Sequence, residues 1–291
     1  MATSVDHMTS AASPEIASAE PGGSRRIYRH RLPTRLWHWS NVVVLIVMLM
    51  SGLMIFNAHP RLYWGEYGAN SDYAWLQIGP TATGGHLVVA GIDIPTTGVL
   101  GRWTDANGAE QTRAFPYWAT IPSGYNLAGA RRWHLSFAWL FAFLTIGYLV
   151  VSAVNRHIRR DLLPKKAELA PSHLWQDIKD HLRLRFHPTD GTAHYNILQK
   201  LTYGLVLFVL LPGVLLTGVT MSPAFNAAWP WMLDLFGGRQ SARSIHFICA
   251  AGLVGFIVVH LALVMLAGPI NEIRSMITGW FHVKNIEEGA A

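Results

Sequence analysis

Four apolar runs of about 20 residues constrain this chain more than any other feature. No charged residue interrupts their centres, and they lie at Trp37–Phe56, Trp133–Val154, Leu201–Met221 and Ile245–Ala267. A helix of about 20 residues crosses the roughly 30 Å of hydrocarbon in a bilayer. Backbone groups in lipid need internal hydrogen bonds, so each run is expected to be a membrane-spanning helix. Only 14% of the residues are charged, which fits a membrane protein.

The distribution of basic residues predicts how the four helices are oriented. Of the 23 Lys and Arg, 16 lie before the first run, between the second and third, or after the fourth. The other seven lie in the remaining two loops. Because Lys and Arg accumulate on the cytoplasmic side, both termini and the loop of residues 155–200 are predicted to be cytoplasmic. Contact with lipid headgroups, rather than with nucleic acid, explains the net charge of +6.

The N-terminal segment and the lone cysteine exclude several readings. Residues 1–24 are rich in Ala, Ser and Pro without an apolar core, which predicts a disordered cytoplasmic tail rather than a cleavable signal. The chain has one cysteine, Cys249, so it has no CxxC redox motif and no internal disulfide. Cys249 lies inside the fourth run and is expected to pack there.

The two long loops are expected to contain structure of their own. Residues 57–130 are too many for a simple connection, and the runs His86–Ala90 and Gly91–Leu100 predict a small subdomain with a hairpin. The Trp and Tyr residues of this loop are either membrane-interface anchors or a docking face for a partner. The inner loop is predicted to hold an amphipathic helix near Ser172–Arg185. No internal repeat is evident.

Four histidines at span positions are the candidates for chemistry: His38, His134, His246 and His260. An ionisable side chain in a membrane segment is costly to bury without a partner. His246 and His260 are 14 residues apart, so they share one face of the fourth helix and lie about 21 Å apart along it. His134 begins the second helix on the outer side, and His38 begins the first helix on the inner side.

The levels of these histidines match in two pairs, His134 with His246 outside and His38 with His260 inside. Two histidines on facing helices can hold a metal inside a bundle. Two such levels fit two haem irons with axial imidazoles. A zinc site needs three or four ligands at one point, which disfavours zinc. For a single histidine the alternative is an ordinary satisfied polar group, and the matching of four disfavours it.

Glycines and arginines near the same levels agree with this interpretation. Glycine allows a macrocycle to approach a helix backbone, although helix packing alone also selects it. The candidates are Gly52, Gly147 and Gly255. Arginine forks suit haem propionates, although anchoring at the membrane interface is the alternative. The candidates are Arg131, Arg132 and Arg243 outside and Arg35 inside.

Short motifs around these histidines are the most specific part of the sequence. They are R-L-W-H-W at Arg35–Trp39, R-R-W-H at Arg131–His134, H-Y-N-I-L-Q-K at His194–Lys200, H-x13-H at His246–His260, and weaker stretches at Leu182–Pro188 and Val214–Val219. They resemble the prokaryotic cytochrome b561 and nickel-hydrogenase cytochrome b family, which includes cytochrome b subunits of formate dehydrogenase and thiosulfate reductase. The likeness runs from about Tyr28 to Trp280. The long loop, with Ile94–Gly101, is similar to the subgroup paired with periplasmic molybdopterin oxidoreductases.

The resemblance implies an all-α membrane protein, a four-transmembrane-helix bundle binding two haems b, with a long periplasmic loop subdomain. The membrane domain would cover residues 25–285, followed by a C-terminal tail of residues 286–291. The protein would lie in the bacterial inner membrane and transfer electrons between the quinone pool and a periplasmic redox enzyme. The resemblance also implies a quinone site near the inner haem, to which Asn196 and Gln199 are carried over. The alternative for Asn196 is that it only N-caps the third helix.

Two other functions make different demands on the sequence. A transporter that relays protons through membrane histidines predicts buried carboxylates and broken helices. None of the four runs holds Asp or Glu, and only the third has a central proline, Pro212. A stand-alone enzyme needs a site in the outer loop, where His59 and His86 are too few. An electron-transfer subunit is therefore the favoured function.

Overall fold

The computed structural model describes residues 25–156, 158, 162–164, 168–182 and 197–283, and these residues are mostly helical. The helices are α1 (Leu32–Phe56), α2 (Leu127–Val154), α3 (Pro171–Leu182), α4 (Ile197–Leu205), α5 (Leu211–Met221), α6 (Pro223–Ala228), α7 (Trp231–Asp234), α8 (Arg239–Ala267) and α9 (Pro269–Thr278). Segments α1, α2, α4 to α5 and α8 are long and apolar enough to cross a membrane. The predicted tails, residues 1–24 and 286–291, lie outside the described residues.

The four spanning segments confirm the four predicted runs. Each ends at the predicted residue but begins four to six residues earlier. The difference arises because the helical hydrogen bonds continue into polar residues that a hydropathy criterion excludes. At α2, for example, the side chain of Asn126 accepts a hydrogen bond from the amide of Gly129 at 2.8 Å, which starts the helix at Leu127. Helix α3 confirms the predicted amphipathic helix of the inner loop.

The third spanning segment contains a π-helical turn, Val206–Leu210, between α4 and α5. Pro212 explains its position. Proline has no amide hydrogen, and its ring meets the carbonyl four residues earlier in a regular α-helix. A π turn changes the hydrogen-bond register locally and accommodates the proline without ending the span.

Residues 41–259 form one compact unit, whose membrane core is built from α1, α2, α5 and α8. Its buried members are Val44, Phe141, Leu162, Leu207, Leu211, Val214, Cys249 and Leu253. Cys249 is a free, buried cysteine in this cluster, as expected for a packing role. Many other apolar residues of the spanning helices are exposed, as lipid-facing surfaces of a membrane protein are.

The loop after α1 folds into small antiparallel sheets. Strands β2 (Arg61–Leu62), β3 (Leu76–Thr81), β4 (Gly84–Val89) and β5 (Ile92–Pro95) form one sheet in that order, and β6 (Trp103–Thr104) pairs with β7 (Glu110–Gln111). The predicted hairpin is confirmed in β4 and β5, with Val89 opposite Ile92. Strand β5 ends at Pro95, earlier than predicted, since proline cannot donate to a ladder. Strand β3 was not predicted because Gly79 and Pro80 disfavour strands.

The second compact unit consists of the chain up to Ser40 and from His260 onward. In it β1 (Arg25–Tyr28) pairs antiparallel with β8 (Trp280–Val283). Arg29 forms an ion pair with Glu272 at 3.2 Å, and Trp39 Nε1 donates to the carbonyl of Met276 at 3.1 Å. This pairing of sequence-distant strands was not predicted.

Candidate functional site

His134 of α2 and His246 of α8 face each other and form the outer pair. Their ring centroids are 6.3 Å apart, and the ring planes are inclined by 62°. A metal–imidazole nitrogen bond is about 2.0 Å and the nitrogen lies roughly 1.1 Å from the ring centre, so two imidazoles on opposite sides of one metal have centroids about 6 Å apart. The spacing therefore fits one metal ion between the two rings.

His38 of α1 and His260 of α8 form the inner pair with the same spacing. Their ring centroids are 6.4 Å apart, and the planes are inclined by 58°. The structure thus brings together the two histidines of each predicted pair, and their role as ligands stays a prediction. Within the described part of the chain, no group of three or more His, Cys, Asp or Glu could hold a metal. Two ligands per level fit haem iron, which receives its other four ligands from the macrocycle.

Side chains and carbonyls of the neighbouring helix surround Nδ1 of each ring in the outer pair. Ser51 Oγ of α1 lies 3.1 Å from His134 Nδ1, and the carbonyl oxygen of Met48 lies at the same distance. Thr217 Oγ1 of α5 lies 3.0 Å from His246 Nδ1. These three contacts involve Nδ1 and leave Nε2 for a metal.

Glycines lie next to both rings of the outer pair. A Cβ added to Gly52 would lie 3.4 Å from His134 Cε1, and a Cβ added to Gly218 would lie 3.4 Å from His246 Cε1. Gly52 was predicted from its position, whereas Ser51, Thr217 and Gly218 were missed. The available signal was the recurrence of a hydroxyl residue followed by glycine, S-G in the first run and T-G in the third.

The other predicted glycines and arginines differ in their surroundings. Among the described residues, no atom lies within 4 Å of a Cβ added to Gly147 or Gly255. Arg131 and Arg132 at the start of α2 are exposed. Arg35 is partly buried, and its Nε has no hydrogen-bond partner among the described residues. Pairing of any of these arginines with a propionate stays a prediction.

The fourth predicted arginine, Arg243, binds the loop after α1. Its Nη1 donates to the carbonyl of Arg61 at 2.9 Å, and its Nη2 donates to the carbonyl of His59. Burial, together with the positive charges of Arg243 and Arg61, lowers the pKa of His59. His59 is therefore neutral at pH 7 and adds no positive charge next to the guanidinium.

Further hydrogen bonds join the same loop to the first turns of α8. Ser244 Oγ donates to the carbonyl of Tyr63 at 2.5 Å and accepts from Trp75 Nε1 at 2.9 Å. The amide of Gly65 donates to Ser241 Oγ at 2.7 Å. The loop subdomain is thus bound to α8 at positions two to five residues before His246.

Of the two residues predicted for the quinone site, the structure describes Gln199. Asn196, together with the competing histidines His157 and His194, lies outside the described residues. Gln199 is partly buried in the first turn of α4. The next residue, Lys200, is buried and forms an ion pair with Glu168 at 2.8 Å, which sequence reasoning missed. A buried lysine requires such a partner.

His30 precedes α1 and lies near His38. The pKa of His30 is lowered to about 4, mainly by burial and further by electrostatic repulsion from Arg29, His38 and Arg35. His30 is therefore neutral at pH 7. It adds no charge beside the inner pair.

Sequence comparisons with known proteins indicate the family of this chain. Residues 29–279 match the family model described as prokaryotic cytochrome b561. A relative named "Putative protein-methionine-sulfoxide reductase subunit YedZ1", from Azospira oryzae, is 25% identical over 244 residues, 84% of this chain and 93% of its own. A "Probable Ni/Fe-hydrogenase B-type cytochrome subunit" from Cupriavidus necator is 22% identical over 280 residues, 91% of each chain. No solved structure matches.

The family model covers all four spanning segments and both histidine pairs. The family binds haem b, and the two relatives are named as subunits of redox enzymes. The chain is accordingly a multi-pass membrane subunit for electron transfer, and it belongs to the prokaryotic cytochrome b561 family.

Proposed function

We propose that this subunit binds two haems b and passes electrons between the membrane quinone pool and a redox enzyme on the periplasmic side. The equal spacing of the two histidine pairs, 6.3 and 6.4 Å between ring centroids, carries the proposal. A site for one bis-imidazole haem needs one such pair, so two pairs support two haems. When bound, each haem supplies a one-electron redox couple.

The side chains of this chain hold and orient those groups. His134 and His246 are the proposed ligands of the outer haem, and His38 and His260 are those of the inner haem. Gly52 keeps α1 close to the His134 ring. For the propionates, which are carboxylates, we propose Arg131 and Arg132 outside and Arg35 inside, since guanidinium forks bind carboxylates. Arg243 already binds two loop carbonyls, so it would bind a propionate in addition to anchoring the loop.

Haem content and a reduced-minus-oxidised absorption spectrum of the purified protein test the proposal most directly. We expect two low-spin haems b per chain. A protein with one haem or none would contradict the proposal. A proton-relaying transporter, the alternative function, predicts no haem signal at all.

The partner is proposed to dock on the loop subdomain of residues 57–130, with both chain termini in the cytoplasm. The subdomain exposes large aromatic side chains, among them Tyr67, Tyr73 and Trp118. Its hydrogen bonds to Arg243 and Ser244 connect this surface to α8 close to His246. The relatives' names as enzyme subunits support a redox enzyme, and the loop resemblance favours a molybdopterin oxidoreductase.

The quinone site is proposed at the start of the third spanning segment, where the resemblance implies Asn196 and Gln199. An amide donates to a quinone carbonyl without changing its charge, which suits a ligand that is neutral when oxidised or fully reduced. The amide of Ile197, the first of α4, donates to Asp177 Oδ2 at 3.2 Å. A carboxylate of α3 thus accepts a hydrogen bond from the first turn of α4. The capping alternative for Asn196 stays open, because an N-cap side chain accepts from the second or third amide of a helix.

The substitution Asn196→Ser separates the two roles, because serine retains the ability to cap a helix. We expect both haems and the thermal stability to stay nearly unchanged. Quinol-driven haem reduction, followed by stopped-flow absorption, should slow severalfold because one carbonyl donor is lost. Equal rates in variant and wild type would leave capping as the role of Asn196 and remove it from the quinone site.

A further inference from the structure

Two dipeptides in different helices hold the outer pair of histidines in the same way. Ser51 and Gly52 of α1 contact His134, and Thr217 and Gly218 of α5 contact His246. The hydroxyl oxygens lie 3.1 and 3.0 Å from the two Nδ1 atoms. Each glycine lies next to the ring, and an added Cβ would be in van der Waals contact with the imidazole Cε1 at 3.4 Å. We call each dipeptide a hydroxyl–glycine clamp.

The hydrogen bonds of each clamp determine which nitrogen of the histidine carries the proton. Ser51 Oγ donates to the carbonyl of Val47 at 2.6 Å, and Thr217 Oγ1 donates to the carbonyl of Gly213 at 2.5 Å. A hydroxyl has one hydrogen, so toward the ring each oxygen can only accept. With the hydroxyl hydrogens directed at these carbonyls, Nδ1 is the nitrogen that carries the proton. The lone pair of the neutral ring then lies on Nε2, the atom a metal would bind.

A backbone carbonyl, which can only accept, supports this tautomer for His134. The carbonyl oxygen of Met48, three residues before Ser51, lies 3.1 Å from His134 Nδ1. Both hydroxyl residues are fully buried, so water does not compete for these contacts. In each clamp a buried hydroxyl that bonds to its own helix also contacts Nδ1 of the histidine ring.

We propose that the two hydroxyl–glycine clamps fix the tautomer and ring orientation of His134 and His246 and thereby set the reduction potential and low-spin spectrum of the outer haem. This inference rests on the proposed function, since it requires a haem between the two rings. The clamp residues are positioning residues that act through the histidines. An acceptor on Nδ1–H makes the imidazole a stronger donor to the metal, which favours ferric over ferrous iron and lowers the potential.

The inner pair lacks an equivalent contact on one of its ligands. Nδ1 of His38 is buried and has no hydrogen-bond partner among the described residues. The clamps therefore act on the outer haem alone. They provide a means by which one chain makes two haems with the same ligand types electronically different.

The test removes the hydroxyls by Ser51→Ala and Thr217→Ala, singly and together. Freshly purified variants should retain two haems. The signal lost in His246→Ala, which identifies the outer haem, should shift in electron paramagnetic resonance because the angle between the imidazole planes is no longer fixed. Its midpoint potential should rise, and transfer of this haem to apomyoglobin should be about tenfold faster. Signals of the inner haem should not change.

Three further variants serve as controls. Ser51→Thr and Thr217→Ser keep a hydroxyl and should restore the outer-haem signal. Thr220→Ala removes a buried hydroxyl of the same segment that donates to the carbonyl of Thr217 at 2.8 Å, and it should change nothing. If an alanine variant does not accumulate, Thr217→Val keeps the side-chain volume and removes only the hydroxyl function.

The outcomes separate this inference from the proposed function. An outer haem with unchanged spectrum, potential and retention in the double variant would overturn the clamps while leaving the two-haem proposal intact. A shift of equal size in Thr220→Ala would also overturn them, because the effect would then be general to helix packing. A wild-type protein with fewer than two haems would remove the proposed function itself.

Discussion

Replacing His246 with alanine is expected to remove the outer haem and leave the inner haem in place, whereas His260→Ala is expected to do the reverse. Each substitution removes one of the two imidazoles that face each other at 6.3 or 6.4 Å. A haem held by a single imidazole loses its low-spin character and much of its affinity. Pyridine haemochrome assays should therefore give one haem per chain in each variant and none in the double variant.

Two histidines near the pairs provide matched controls. His59 bonds to the hydroxyl of Tyr63 at 3.1 Å, and His30 lies near His38 and precedes α1. Both His59→Ala and His30→Ala should retain two haems. If replacing His157 abolished the inner haem while His38→Ala did not, the proposed inner pair would be wrong.

Removing strand β5 from the loop subdomain is expected to stop electron exchange with the partner while leaving both haems intact. All four residues of Ile92–Pro95 are exposed, and β5 is an edge strand of its sheet. The buried cluster of the subdomain, which includes Phe56, Leu62 and Ile78, lies outside this strand. The contacts of Arg243 and Ser244 with residues 59–75 are also outside it.

Two activities of the same preparation measure this effect. Quinol-driven haem reduction should stay at the wild-type rate, because the haems and the inner end are untouched. Turnover with the periplasmic partner should fall by at least tenfold. Milder substitutions, Ile92→Ser with Ile94→Ser, remove exposed apolar surface without a deletion and should act in the same direction. Partner turnover equal to wild type in both variants would refute docking at β5 and favour membrane anchoring by the loop aromatics.

The amino-acid sequence alone determined the features that depend on local composition. Hydropathy located all four spanning segments to within six residues at one end, because crossing lipid leaves few alternatives to a helix. The 3.6-residue period was enough to place His246 and His260 on one face of α8. The levels of His38 and His134 followed from their positions at helix starts. These predictions succeed because each depends on one helix and on the thickness of the bilayer.

Contacts between sequence-distant residues were decided only by the tertiary structure. Ser51 contacts His134 across 83 residues and Thr217 contacts His246 across 29, so the inserted loop hides that the two clamps are equivalent. The same reason applies to the pairing of β1 with β8 and to the ion pair of Glu168 with Lys200. Hydropathy describes how a residue interacts with its solvent, whereas these contacts depend on which helix faces which. That choice is made by the packing of the whole chain.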